Sequence, residues 1–240
     1  GGRYRVIDFC LSNCAHAGIS EVGILAQYNP ASLIAHVGDG SHWDLRRRRG
    51  GLSILQPFTA RGETNWFRGT ADALAQYLDF IRDAPCDHVL VLSADQVYRM
   101  DYADLIVHHA RTRSEVTIAV KSAGGNLPSS VGGVTIDERA RIVQLVEKPA
   151  ERIFDFFSLG IYVFAREALI EMLDSLKQGQ YDIVFDVLVP LVQEHRVSAY
   201  IFDGYWADVG SVQRYFEASM GLLRKPPVLD LNDRLHPIYT

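Results

Sequence analysis

A chain of 240 residues, 48% of them hydrophobic, can bury a full core as one large α/β domain or two tightly fused ones. Its mild net charge of −5 argues against a nucleic-acid partner, and no apolar run is long enough to span a membrane. Three cysteines, Cys10, Cys14 and Cys86, are odd in number and too few for a disulfide framework, which points to a reducing cytoplasm; Cys10 and Cys14, four apart, make a poor zinc site and read as core.

The first helix is expected from Arg5 to Ala17, with Asp8 as its N-cap and Gly18 as its stop. Val22 to Ala26 reads as a short strand, and Pro30 opens a helix running to about Val37. From Gly38 to Asn65, glycines, polar residues and the run Arg46 to Arg49 form a long excursion with one strand, Leu52 to Leu55. The arginines suit either an anion site or a solvated loop. Thr70 stands in a capping position for a helix whose apolar stripe is Leu74, Tyr77, Leu78 and Ile81.

His88 to Leu92, rich in Val and Leu, reads as a strand buried on both faces, and the segment stops at Asp95. A carboxylate at the carboxyl end of a central strand lies where open α/β sheets bind ligands, although an acid there can equally cap the following turn. Tyr102 to Arg113 is an amphipathic helix and Val116 to Val120 a β-branched strand. This order of strand, helix and strand implies right-handed crossovers and a largely parallel sheet. Gly133 to Asp137 and Ile142 to Glu147, around a polar turn, add an antiparallel pair.

Leu159 to Phe164 is a further strand, followed by helices from Arg166 to Lys177 and from Asp182 to Glu194. Pro190 is tolerated in the second only if it kinks or ends it. Val197 to Phe202 is a strand, Tyr205 to Gly210 a turn and Val212 to Leu223 the last helix. Residues 1–224 then form the main domain, and the polar, proline-containing 225–240 looks like a linker.

Glu147-Lys148-Pro149, Ser158 to Tyr162 and Trp206-Ala207-Asp208 each set a charged or hydroxylic group at a strand edge. With Asp95, a lysine and an acid at such edges suit a phosphate and a divalent metal. Together with Trp66 to Ala73, Ala94 to Tyr102 and the opening Gly1 to Cys14, these motifs stand in the order and approximate spacing of the sugar-nucleotide pyrophosphorylases. Across nearly its whole length the chain resembles these, and among them the glucose-1-phosphate adenylyltransferases.

The resemblance implies a Rossmann-like, three-layer α/β/α fold of GT-A type. It also implies transfer of an adenylyl group from ATP to glucose-1-phosphate, with Mg²⁺ held by Asp95 and Asp208. Lys148 would meet the sugar phosphate. Glu147, Ser158, Tyr162 and Asp182 would hold sugar hydroxyls and phosphate, with Trp206 as an apolar wall; Tyr162 and Trp206 also read as core aromatics. Gln27, Trp66, Gly69, Thr70 and Asp72 would meet the nucleotide, the helix near Thr70 offering its positive end. Arg68 is either a phosphate contact or a surface charge.

The same resemblance implies a glycine-rich phosphate loop ahead of Gly1, a β-helical domain after Thr240 and tetrameric assembly, so this stretch alone is expected to be weakly active or inactive. The chain departs from the family pattern at Ala94, Gln96, Ala207 and Ile183-Val184-Phe185. A non-catalytic regulatory subunit, or use of another nucleotide or sugar phosphate, are the alternatives. Asp95, Lys148 and Asp208 together favour catalysis, because a subunit without turnover needs no metal-binding pair.

Overall fold

The computed structural model describes residues 2–57, 66–125, 127–150, 153–194 and 196–240. Gly1, the 58–65 part of the excursion, and with it Thr64 and Asn65 ahead of Trp66, lie outside the described residues.

Helix α1 (Val6–His16) starts after Arg5, so the N-cap is Arg5 and not Asp8. Asp8 sits a turn inside, where its carboxylate accepts the Arg5 amide at 2.8 Å and satisfies a donor the helix start would leave open. Strand β1 (Glu21–Leu25) pairs in parallel with β2 (Gly51–Leu55), and α2 (Ala31–Val37) connects toward them through a 3₁₀ turn at Ser41–Trp43. The excursion is therefore anchored: Trp43 and Leu45 are fully buried beside Leu11, Ile24 and Val37.

The expected single helix from Thr70 breaks at Tyr77 into α3 (Thr70–Gln76) and α4 (Leu78–Asp83). Thr70 does not cap it. Gly69 is the N-cap, and the Thr70 hydroxyl accepts the Ile183 amide at 2.9 Å.

The main sheet is built around the long strand β8 (Phe156–Ala165). Strand β3 (His88–Leu92) pairs antiparallel with it, Leu90 opposite Val163. Among the described residues β3 pairs with β8 alone and is half-buried along its length, not buried on both faces as its composition suggests. On the other side β8 meets β5 (Val116–Ser122), which also pairs in parallel with β9 (Val197–Ile201). The hairpin β6 (Gly133–Ile136) and β7 (Ile142–Val146) completes the order β7-β6-β8-β5-β9. The sheet is mixed, as expected, but its balance is antiparallel: among the described residues only β1 with β2 and β5 with β9 run parallel. The reason is β8, which runs against β3, β5 and β6 alike.

Alternation along β8 feeds two cores, because successive side chains of a strand point to opposite faces. Tyr162 and Phe164 join Leu74 and Ile81 of α3 and α4, with Leu169 of α6 (Arg166–Asp174) and Leu191 of α7 (Val189–Gln193). Ile161 and Val163 join Cys10 and Cys14 of α1, with Tyr102 and Leu105 of α5 (Tyr102–Thr112). This is a three-layer α/β/α arrangement, and each fully buried aliphatic side chain contributes roughly 1.5–3 kcal/mol.

Ahead of α7 the expected Asp182–Glu194 helix is a π-helical stretch, Ile183–Leu188, capped by Asp182. Pro190 falls in the first turn of α7, where a missing amide costs nothing. The expected turn at 205–210 contains a strand, β10 (Trp206–Asp208), paired antiparallel with β4 (Gln96–Tyr98). Helix α8 (Val212–Leu222) follows, its Ser211 cap accepting the Arg214 amide at 3.3 Å. Residues 225–240 carry no helix or strand, yet Leu229 and Ile238 bury against Phe9 and Val97, and the Tyr239 amide donates to Ser12 Oγ at 2.9 Å. Among the described residues no helix is long and apolar enough to cross a membrane.

Candidate active site

A cleft of about 710 Å³ opens where the carboxyl ends of β1 and β3 meet β8, β10, the start of α3 and the start of the π-helical stretch. Its wall contains Gln27, Gly69, Thr70, Asp95, Glu147, Lys148, Ser158, Tyr162, Asp182, Trp206 and Asp208. Trp66, Arg68 and Asp72 are not among its lining residues.

Asp95 and Asp208 are brought together by the pairing of β4 with β10. Asp208 lies opposite Gln96, and the Val209 amide donates to the Asp95 carbonyl at 3.1 Å. Desolvation, with the charge of Asp208 beside it, raises the Asp95 carboxyl above its usual range. Asp208 behaves oppositely. Desolvation pushes its pKa up, but hydrogen bonds from Ser130 and the Gly210 amide and the charge of Arg214 outweigh that and hold it low. Ser130 Oγ donates at 2.6 Å and Arg214 Nη1 at 2.5 Å to Oδ2, while the Gly210 amide donates to Oδ1 at 2.7 Å.

Two hard carboxylates, Asp208 on β10 and Asp95 just ahead of β4, with the charge of Asp208 bearing on Asp95, are a fitting donor pair for a hard divalent cation. Among the described residues no group of three or more His, Cys, Asp or Glu could hold a metal. A cation at this pair would therefore draw its remaining ligands from substrate phosphates and water.

Trp206 is fixed by Gln96. The buried Gln96 amide donates through Nε2 to the Leu159 carbonyl at 2.7 Å and accepts the Trp206 indole N–H at 2.9 Å. Gly160, at φ +67°, forms the irregularity in β8 that admits this contact; a Cβ there would lie 2.7 Å from Ser93 Oγ and 3.2 Å from Gln96 Nε2.

Lys148 is exposed and holds φ +45°, a left-handed conformation that costs a non-glycine residue roughly 1–2 kcal/mol. Its ammonium lies 3.6 Å from Glu147, whose carboxyl is raised mainly by desolvation, Lys148 opposing and Asp182 adding to the shift. Burial pushes the Tyr162 phenol up to about 12, against the relief from the Ser158 hydroxyl, so it is a neutral donor at any working pH. The Asp182 carboxylate accepts the Val184 and Phe185 amides at 2.8 and 3.0 Å.

On the opposite flank, the Gln27 side-chain oxygen Oε1 accepts the Phe67 amide at 2.8 Å. Gly69 is required by a neighbouring segment of the chain: a Cβ there would stand 2.3 Å from the Tyr181 carbonyl oxygen. That same oxygen accepts the Ala71 and Asp72 amides at 2.8 and 3.2 Å, so these two amides of the first turn of α3 are spent on protein, not held out to a phosphate. Arg68 is neither a bare surface charge nor aimed into the cleft. It donates to Asp72 at 2.6 Å and to the Tyr181 hydroxyl at 3.1 Å, and lies 4.1 Å over the Tyr181 ring. Asp72 is buried and holds Arg68 and Gln76, and Trp66 stacks edge-on with Tyr28 at 5.7 Å.

Arg46 to Arg49 are exposed and do not line the cleft; Arg46 pairs with Asp39 and Arg47 with Asp44, each at 3.2 Å. Three residues of the site carry no sequence signal. Ser130 sits in an unpatterned loop, Arg214 reads as one polar position of an amphipathic helix, and Gln96 stands out only as a departure from the family.

A family model described as nucleotidyl transferase matches residues 1–225. Among curated proteins, the whole chain is 43% identical to a glucose-1-phosphate adenylyltransferase of Thermomicrobium roseum, covering 57% of that protein. It is 40% identical to one of Clostridioides difficile and 41% identical to one of Geobacillus stearothermophilus, covering 64% and 63% of those. The chain thus spans less than two thirds of the length of these relatives.

Proposed function

The chain belongs to the nucleotidyl transferase family, and from that premise we propose that its cleft transfers the adenylyl group of ATP to glucose-1-phosphate, giving ADP-glucose and pyrophosphate. A phosphate oxygen of the sugar phosphate attacks the α-phosphorus, the bond from that phosphorus to the bridging oxygen breaks, and pyrophosphate leaves with the electron pair. The nucleophile is already an anion, so no general base is needed. The task is to align two polyanions and offset their repulsion.

The observation that carries this reading is the shared cleft: Asp95 and Asp208 side by side through β4 and β10, with Lys148 in the same wall. Asp95 and Asp208 would hold Mg²⁺, which when bound neutralises phosphate charge. Lys148, on an extended stem, would draw in the sugar phosphate as a point charge. Glu147, Ser158, Tyr162 and Asp182 would orient the hexose, Tyr162 as a donor and Glu147 as an acceptor. Trp206, locked by Gln96, would supply the flat apolar wall. Gln27, Gly69 and Thr70 border the nucleotide side, where Gln27 positions the Phe67 backbone. Arg68 and Asp72 would act there through each other, as the clamp that shapes the entry to α3.

Cytoplasmic location, and assembly of the full-length protein as a homotetramer or heterotetramer, belong to the same proposal. The test is product formation from ATP and glucose-1-phosphate against other nucleotide and sugar-phosphate pairs. A preference of at least tenfold in kcat/KM for another pair would replace the substrates named here.

A further inference from the structure

We propose that Arg214 is a positioning residue that keeps free divalent cations off Asp208, so that the cation enters with the nucleotide. The inference rests on the assignment of Asp95 and Asp208 as the cation-holding pair.

The Asp208 carboxylate is already heavily engaged by the protein. Oδ2 accepts both Ser130 Oγ and Arg214 Nη1, at 2.6 and 2.5 Å, which fills the two lone pairs of a carboxylate oxygen. Oδ1 accepts the Gly210 amide at 2.7 Å and keeps one lone pair. Only that oxygen remains open.

The arginine is held as firmly as the acid. Arg214 Nη1 also donates to Ser130 Oγ at 2.5 Å and Nη2 to Ser129 Oγ at 3.4 Å, and its own backbone amide is tied to the Ser211 cap of α8. A planar guanidinium fastened at several points does not swing away from a neighbouring charge as a lysine would. A bare dication approaching Oδ1 therefore meets a carboxylate whose charge is shared with a fixed cation, and feels that cation's repulsion as well. A cation already carried on a triphosphate arrives inside a net negative complex, which the same guanidinium attracts. One residue thus distinguishes the two forms by the sign of their charge.

The test is Mn²⁺ binding to the full-length protein, followed by the loss of the free-ion electron paramagnetic resonance signal, with and without ATP. Removing the guanidinium in Arg214→Met should tighten binding of free Mn²⁺ by about tenfold, while binding in the presence of ATP tightens far less or weakens. Arg214→Gln, which keeps a polar side chain for Ser130, should act in the same direction if the first variant folds poorly. A change of less than about threefold in free Mn²⁺ affinity in both variants, with ATP-dependent binding intact in the wild type, overturns the role given to Arg214 and leaves the cleft assignment standing. Absence of Mn²⁺ binding by the wild type even with ATP overturns both.

Discussion

Asp208 stands directly across the β4–β10 ladder from Gln96, and that single register joins two parts of the chain that lie far apart in sequence. It sets Asp208 beside Asp95 and, on the same strand pair, lets the Gln96 side chain capture the Trp206 indole. The carboxylate pair and the aromatic wall are consequences of one short pairing, which makes each sensitive to the other.

Replacing Asp95 tests chemistry apart from stability. Folding raises the pKa of Asp95, so above that pKa its charge opposes folding, and protonation in acid relieves the cost. Asp95→Asn should therefore leave the melting temperature unchanged or slightly higher, while kcat falls by roughly 10³-fold. A variant with near-normal turnover removes Asp95 from the mechanism.

The same shift fixes the direction of a pH effect. A carboxylate must be ionised to hold a cation, so cation binding should fall on the acid side as Asp95 protonates, at a pH above the ordinary aspartate value of 3.8. Asp208, held low by Ser130 and Arg214 against its own desolvation, should stay ionised through that range. Carbon-13 NMR titration of the two side chains reads this order; Asp208 protonating first would contradict it.

Lys148 combines an exposed ammonium with a left-handed backbone. Lys148→Ala should raise KM for glucose-1-phosphate with little change in KM for ATP. Lys148→Gly should lose the same binding yet be more stable than Lys148→Ala, by about 1 kcal/mol, because glycine takes positive φ without strain. Steady-state kinetics beside thermal unfolding separate the two effects.

Gln96→Leu would strand the buried Leu159 carbonyl and the Trp206 N–H. It should destabilise the protein by about 1–3 kcal/mol and shift Trp206 fluorescence toward that of a mobile indole. An unchanged spectrum would mean that Trp206 is held by packing alone.

Gly69→Ala places a methyl 2.3 Å from the Tyr181 oxygen and should cost about 1–3 kcal/mol. The damage should be local. The Ala71 and Asp72 amides, which share that oxygen, should exchange with solvent sooner than those of α6, as hydrogen exchange would show.

Much of the site was legible because its acids and hydroxyls flank or open strands that runs of Val, Leu and Ile mark plainly: Asp95 follows β3 and Ser158 lies near the start of β8. Trp206 to Asp208 read as a turn because three residues are too few to display a period, and their partner lies on β4, remote in sequence. Thr70 has the residue type of a cap, but Gly69 holds that place because only a glycine fits under the Tyr181 carbonyl. The Arg68 and Asp72 clamp was available as an oppositely charged pair four residues apart, spanning the entry to α3. β3 has a buried strand's composition; its exposure depends on what pairs beside it, which composition does not encode. Ser130 and Arg214 acquire meaning only once α8 lies against β10.

The most direct test is phosphorus NMR of the full-length protein with ATP, glucose-1-phosphate and Mg²⁺, run beside Asp208→Asn. ADP-glucose and pyrophosphate should appear in equal amounts, and the variant should form them at least about 10²-fold more slowly. Equal rates in the two proteins would contradict the account.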